Sequence, residues 1–308
     1  MSRFIAISFF SLAIFWGSVG ISNGGDFESG FIAYKKGDYA TALRKWRPLA
    51  EQGDPKSQFQ VGWMYEKGQG VSQNFETAVN WYRLAAIKRH APAQFNLGVM
   101  YNDGTGVPQN YAIAAKWYRL AADQGDVAAT NNLGWMYDKG LGGLSKNFDT
   151  ALRLYRNSAE RGYPPAQYNL GAMWDKGKGV SQNFKTAANW YRLAAMKGHA
   201  PSQFNLGVMY KDGTGVPQNY VSAVKWFRLA AEQGDARAQK NLGFMYGTGK
   251  GLPKSNLLAL MWTKIALQSG LKGAQKNNDI IAKRMMPGQI EEAEELARRC
   301  VLKKYKRC

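Results

Sequence analysis

The 18-residue stretch QFNLGVMYNDGTGVPQNY at 94–111 returns at 203–220 with one change, Lys211 in place of Asn102. The echo belongs to a longer series. Aligned on Leu-Gly-x-Met and the aromatic residue after it, units begin at Pro55, Ala91, Val127, Pro164, Ala200 and Ala236. Each has 36 residues except the unit from Val127, which has 37. A unit this short cannot bury its own apolar faces, and a period between about 20 and 50 residues means units stacked into an array. The period therefore excludes an isolated globule as the fold.

Within a unit, Leu97, Gly98 and Tyr101 stand at i, i+1 and i+4, one face of a helix. The run Gly104-Thr105-Gly106-Val107 ends that helix, because glycine accepts the positive φ that such a stop requires. Asn110 follows as the N-cap of a second helix, and Asn74, Asn147, Asn183, Asn219 and Ser255 repeat the device. That second helix, YAIAAKWYRLAADQGD, stops at Gly125, where the corresponding position of the preceding unit holds Arg89. Each unit thus reads as a helix hairpin, and the chain as an all-α solenoid. Recurring between alanines, Trp81, Trp117, Trp190, Trp226 and Trp262 are expected in the core.

The flanks extend the array. Residues 26–54 carry the same Tyr, Ala, Trp and Gly landmarks with a shorter loop, and read as a degenerate N-terminal hairpin. Residues 272–308 read as a C-terminal capping helix and basic tail, with Pro287 near the helix start and Glu291 and Glu292 in its first turns. The two cysteines, Cys300 and Cys308, lie eight residues apart. On one straight helix their Cα atoms would be about 12 Å apart, too far to bond, so a bridge requires the helix to end near Lys303 to Lys306. Residues 1–24 have Arg3, an apolar run from Phe4 to Trp16, then small residues, the layout of a secretory leader. Extending the run to Ile21 keeps an uncleaved anchor open.

The pattern Leu-Gly-x-Met-Tyr, then Gly-x-Gly-Val, then Ala-x-x-Trp-Tyr-x-x-Ala-Ala-x-x-Gly resembles the Sel1-like repeat, a relative of the tetratricopeptide repeat. Six units carry it: 55–90, 91–126, 127–163, 164–199, 200–235 and 236–271. The unit from Val127 departs from it, with GLGGLSKNF one residue longer and Leu154 where its siblings have Trp. The resemblance implies a right-handed superhelix of helix hairpins that serves as a protein–protein interaction scaffold. In exported bacterial members it implies envelope assembly, signalling or host contact.

If Leu97, Gly98 and Tyr101 face the partner helix, Phe95 and Val99 occupy a different stripe, which tetratricopeptide-like stacks turn to their concave surface. Across units the stripe reads Phe59, Phe95, Asn131, Tyr168, Phe204, Lys240 and, one turn on, Trp63, Val99, Trp135, Ala172, Val208, Phe244. These positions vary where the packing positions do not, as in a recognition groove. Its aromatic members Phe59, Trp63, Phe95, Trp135, Tyr168, Phe204 and Phe244 are the candidate partner-binding residues, with packing between units as the competing use.

Other chemistry finds little support. Stretches such as GTGVPQ lack the Gly-x4-Gly-Lys-Ser/Thr of a phosphate loop and follow helices, not strands. Some cysteine-rich relatives are linked to β-lactam hydrolysis, and Ser222-Ala-Val-Lys225 and Ser269-Gly-Leu-Lys272 fit Ser-x-x-Lys. Neither has a Ser-Asp-Asn or Lys-Thr-Gly companion. The only histidines, His90 and His199, are too few for a metal site and are expected as exposed caps. A net charge of +19 favours anionic partners. The sequence therefore predicts a periplasmic or secreted, non-enzymatic scaffold with no cofactor, binding a protein or peptide on its concave face. A cell-wall or β-lactam hydrolase and a binder of an anionic envelope polymer are the alternatives. No nucleic-acid partner is expected, and a membrane only if the leader is retained.

Overall fold

The structure, a computed structural model, describes residues 24–306 and 308. The leader expected at 1–24 lies outside the described residues apart from Gly24. Every regular element among those residues is helical. None is long and apolar enough to cross a membrane.

The chain divides into two compact units, one ending at Lys88 and one running from Arg89 to Cys308. The first holds α1 (Gly24–Lys35), α2 (Tyr39–Glu51), α3 (Pro55–Lys67) and α4 (Phe75–Ile87). The second holds five further hairpins: α5 (Ala91–Asp103) with α6 (Tyr111–Asp123), α7 (Val127–Lys139) with α8 (Phe148–Glu160), and α9 (Pro164–Lys176) with α10 (Phe184–Met196). Then follow α11 (Ala200–Asp212) with α12 (Tyr220–Ala231) and α13 (Ala236–Thr248) with α14 (Asn256–Gln268). Within each unit, successive hairpins pack on one another.

Local chemistry shapes each hairpin. Gly104, at φ 73°, ends α5 in the left-handed conformation. The Asn110 backbone N–H then returns to the Tyr101 carbonyl at 2.8 Å. Asn110 Oδ1 accepts from the Ile113 N–H at 3.0 Å, satisfying a donor that the helix start leaves free. The same bond recurs at Asn74, Asn147, Asn183, Asn219 and Ser255. The second glycine of each loop serves stacking: a Cβ on Gly215 would run into the Phe184 carbonyl at the start of the previous second helix.

The core corrects one expectation. The residues buried at the centre of the hairpins are Tyr82, Tyr118, Tyr155, Tyr191 and Phe227, each no more than 2% exposed, not the tryptophans that precede them. Trp81, Trp117, Trp190 and Trp226 are half-buried. One residue along a helix is about 100° of rotation, and the flat ring that must face inward is the one lying on the first-helix glycine. A Cβ on Gly98 would come within 2.6 Å of the Tyr118 ring, and one on Gly207 within 2.7 Å of Phe227. Of the half-buried indoles, Trp190 packs against the α8–α9 core and Trp226 against the α10–α11 core. Trp262 does reach the core, where its cluster includes Ala297 and Cys300 of the terminal helix.

Residues 272–308 form more than the single cap expected. A 3-10 turn at Lys272–Ala274 and α15 (Gln275–Ala282) precede α16 (Pro287–Leu302). Helix α16 buries Ala293, Ala297 and Cys300, and Lys264 on α14 meets Glu294 at 2.6 Å. Beyond Leu302 the backbone turns left-handed at Lys304 and Tyr305. Cys300 and Cys308 are bonded, with their Cα atoms 5.4 Å apart.

Candidate functional site

The first helices present the variable stripe. None of its seven aromatic residues is fully buried, and Phe244 is 39% exposed. In the first unit, Trp63 donates its indole N–H to the Tyr34 hydroxyl at 2.9 Å, and Lys67 Nζ lies 4.5 Å from its ring centroid. Phe59 leans on buried Tyr82, centroids 5.5 Å apart.

In the second unit, Phe95, Tyr168 and Phe204 rest on the buried rings of Tyr118, Tyr191 and Phe227 at 6.0, 5.7 and 6.1 Å. Each therefore spends one side on its own hairpin. The other side of Phe204 is covered by the Arg237 guanidinium, 4.3 Å from the centroid and held by Asp235 at 2.6 Å. Tyr168 has His199 beside it, centroids 5.2 Å apart.

Between α7 and α9 the stripe opens. Trp135 and Tyr168 flank a cleft of about 220 Å³. Ala172, where siblings carry Val99, Val208 and Phe244, leaves the space. Asp138, Lys139, Lys176 and Lys178 supply a polar rim. Lys178 Nζ stands 3.6 Å from Asp138 Oδ1 and Lys139 Nζ 3.4 Å from Oδ2. Asp138 Oδ1 is buried and accepts no hydrogen bond, and the Lys178 ammonium is the charge that faces it. Beneath it, burial and the nearby Asp138 carboxylate raise the Tyr155 phenol, which stays protonated. Asn169 is fixed by its bond to Asn131 Oδ1 at 2.9 Å. A cleft with two aromatic walls and three cations at its rim can grip a side chain and an acidic group next to it.

The structure thus brings Trp135 and Tyr168 together and leaves Phe95, Phe204 and Phe244 on other hairpins. The polar rim was missed from sequence, since Lys178 belongs to the loop after α9 and reaches Asp138 only through stacking. The histidines are half-buried, not exposed as expected. His90 Nδ1 caps α5, accepting from Ala93 N–H at 3.3 Å. His199 Nδ1 lies 2.9 Å from Ser202 Oγ, and burial lowers its pKa. Of the two Ser-x-x-Lys matches, Ser269 donates to Gln239 Oε1 at 3.3 Å. Lys225 of the other sits over Trp226, 5.9 Å from a ring centroid. Among the described residues no three His, Cys, Asp or Glu side chains are grouped to hold a metal.

The model of the Sel1 repeat matches residues 55–90, 91–126, 127–163, 164–199, 200–235 and 236–271. Among solved structures, a Sel1 repeat protein from Oxalobacter formigenes is 34% identical, with 79% of this chain and 97% of that one covered and a TM-score of 0.73. A protective antigen of uropathogenic Escherichia coli displaying an SLR fold is 26% identical, over 92% of this chain and 85% of that one, at TM-score 0.40. An immunity protein from Pseudomonas aeruginosa is 19% identical, over 71% and 83%, at 0.48. No match is found among curated proteins.

Proposed function

Because the chain belongs to the Sel1 repeat family, whose repeats are scaffolds for protein interaction, we propose that it binds a peptide segment of a protein partner in the cleft between Trp135 and Tyr168. The observation that carries this reading is the opening at Ala172, where two aromatic walls meet a rim of Lys139, Lys176 and Lys178. A partner side chain enters between the two rings, and an acidic neighbour meets the lysines. Arg3 and the apolar run after it support an exported protein that works at the cell envelope.

The test compares wild type with a Trp135→Ala, Tyr168→Ala double variant in capture from envelope extract. Aromatic anchors cost about 2 kcal/mol or more each when truncated at an interface, so captured partner should fall at least tenfold while the thermal melt stays within a few degrees of wild type. Tyr118→Ala is the control for core damage, expected to lose about 3–5 kcal/mol. A double variant that melts as early as Tyr118→Ala shows that the two rings are packing, and one that captures as well as wild type sinks the site. The lysine rim also suits an anionic polymer. Capture by that route would weaken steeply with salt, whereas apolar anchoring would not.

A further inference from the structure

The one irregular repeat creates a second recess, on the opposite, second-helix face of the second unit. Where siblings have tryptophan, residue 154 is leucine. Its smaller side chain packs onto the α6–α7 core and leaves a cleft of about 410 Å³ between α6 and α8, lined by Arg119, Asp123, Arg153 and Leu154. The same repeat has the long loop 140–147, which lays Leu144 against α6 and walls a second hollow of about 450 Å³ with Ala112, Ala115 and Leu120. Both hollows include Arg119 and Asp123. The lost indole and the loop that carries Leu144 therefore both border the same stretch of α6.

The chemistry of the paired hollows is uneven. One is largely apolar, with Leu120 46% exposed. The other carries charge: Arg119 donates to the Tyr137 hydroxyl at 3.1 Å, and the exposed side chains of Arg153 and Asp123 stand at its rim. Two arginines at a polar hollow that adjoins an apolar one through Arg119 and Asp123 suit a ligand that carries a carboxylate next to aliphatic groups. A polyanion would leave the floor unused and set its charges against Asp123.

We propose that this recess binds an acidic peptide segment in which a carboxylate flanked by leucine-like side chains meets Arg153, a backbone N–H meets Asp123, and the aliphatic groups cover Leu120 and Leu144. The site stands apart from the Trp135–Tyr168 cleft and does not depend on it. The repeat supplies its own test, because Leu154→Trp restores the sibling residue and should fill the cleft without unfolding the chain. Binding of the fluorescent peptide Leu-Leu-Glu-Leu, acetylated and amidated at its ends, would be followed by anisotropy with the full chain. Its lysine counterpart and an oligogalacturonate of similar length serve as the other probes. We expect the glutamate peptide to bind at least tenfold more tightly than the lysine peptide, and to lose at least tenfold on Leu154→Trp and on Arg153→Glu. Because the Trp135–Tyr168 cleft could take the same peptide, both losses are measured in the Trp135→Ala, Tyr168→Ala background, where they should persist. Arg153→Glu changes an exposed side chain and keeps the test valid if Leu154→Trp folds poorly. Binding unchanged by Arg153→Glu, preference for the oligogalacturonate, or no binding of the glutamate peptide at millimolar concentration would each overturn the proposal.

Discussion

The contact between the first-helix glycine and the second-helix ring sets a graded prediction. A Cβ placed on Gly98 would lie 2.6 and 2.7 Å from two carbons of the Tyr118 ring, while on Gly134 it would meet the Tyr155 ring at 3.1 Å. Carbon pairs settle at about 3.5–4.0 Å. Gly98→Ala therefore requires a shift of roughly 1 Å from a ring that is 1% exposed, whereas Gly134→Ala requires a few tenths. Overpacking of the first kind costs about 1–3 kcal/mol, and alanine recovers about 1 kcal/mol of helix propensity over glycine. Gly98→Ala should lose about 1 kcal/mol net, and Gly134→Ala should be neutral or gain a few tenths. Gly207→Ala, at 2.7 Å from Phe227, should behave like Gly98→Ala. Urea titrations followed by far-ultraviolet circular dichroism and by tryptophan fluorescence would measure this. Coincidence of the two signals is needed, because repeat arrays can lose cooperativity. Equal stability of the three variants, or Gly98→Ala above Gly134→Ala, would refute the idea that ring-on-backbone contact dictates glycine here.

Arg89 holds φ 62° where Gly125, Gly198 and Gly234 hold 84–88°. Arg89→Gly relieves a left-handed strain of about 1–2 kcal/mol against about 0.4–1 kcal/mol of added unfolded-chain entropy, so the urea midpoint should rise, and a fall would show that the arginine stabilises its turn in another way. His199 has its pKa lowered by burial, so the unfolded chain takes up that proton first. Stability should be complete above the ordinary value near 6.5 and fall as pH drops through it towards the lower folded value. His199→Asn, which keeps a polar side chain beside Ser202, should flatten the profile between pH 7.5 and 5.5, and an unchanged slope would exclude His199 as its source.

How much of this was legible in the sequence follows from what a period can and cannot encode. The hairpins, their left-handed glycine stops and the Asn110-type caps are local, and each repeats where the alignment places it. The phase of the second helix is not local. Adjacent aromatics such as Trp117 and Tyr118 differ by about 100° around the axis, and the choice between them rests on the opposing Gly98, whose missing side chain was the available signal. The last hairpin shows the same rule in reverse: with Thr263 at the ring position, hydroxyl bonded to the Ala259 carbonyl at 2.7 Å, Trp262 enters the core.

The candidate site divides along the same line. Its aromatic half lay on a stripe that varies between repeats, and so could be read. Its polar half joins Asp138 to Lys178 across two hairpins, a contact made by stacking and invisible to alignment. Ala172 acquires meaning only there, as the small residue between two large rings. Leu154 and the longer loop could each be read as departures, yet nothing in the spacing of residues 140–154 says that both open onto α6. In a solenoid the regular positions hold the stack together, and a recess forms where a repeat fails to supply the side chain its neighbours supply. Departures from the period are therefore the first places to look for recognition in this chain, and Ala172 and Leu154 are two of them.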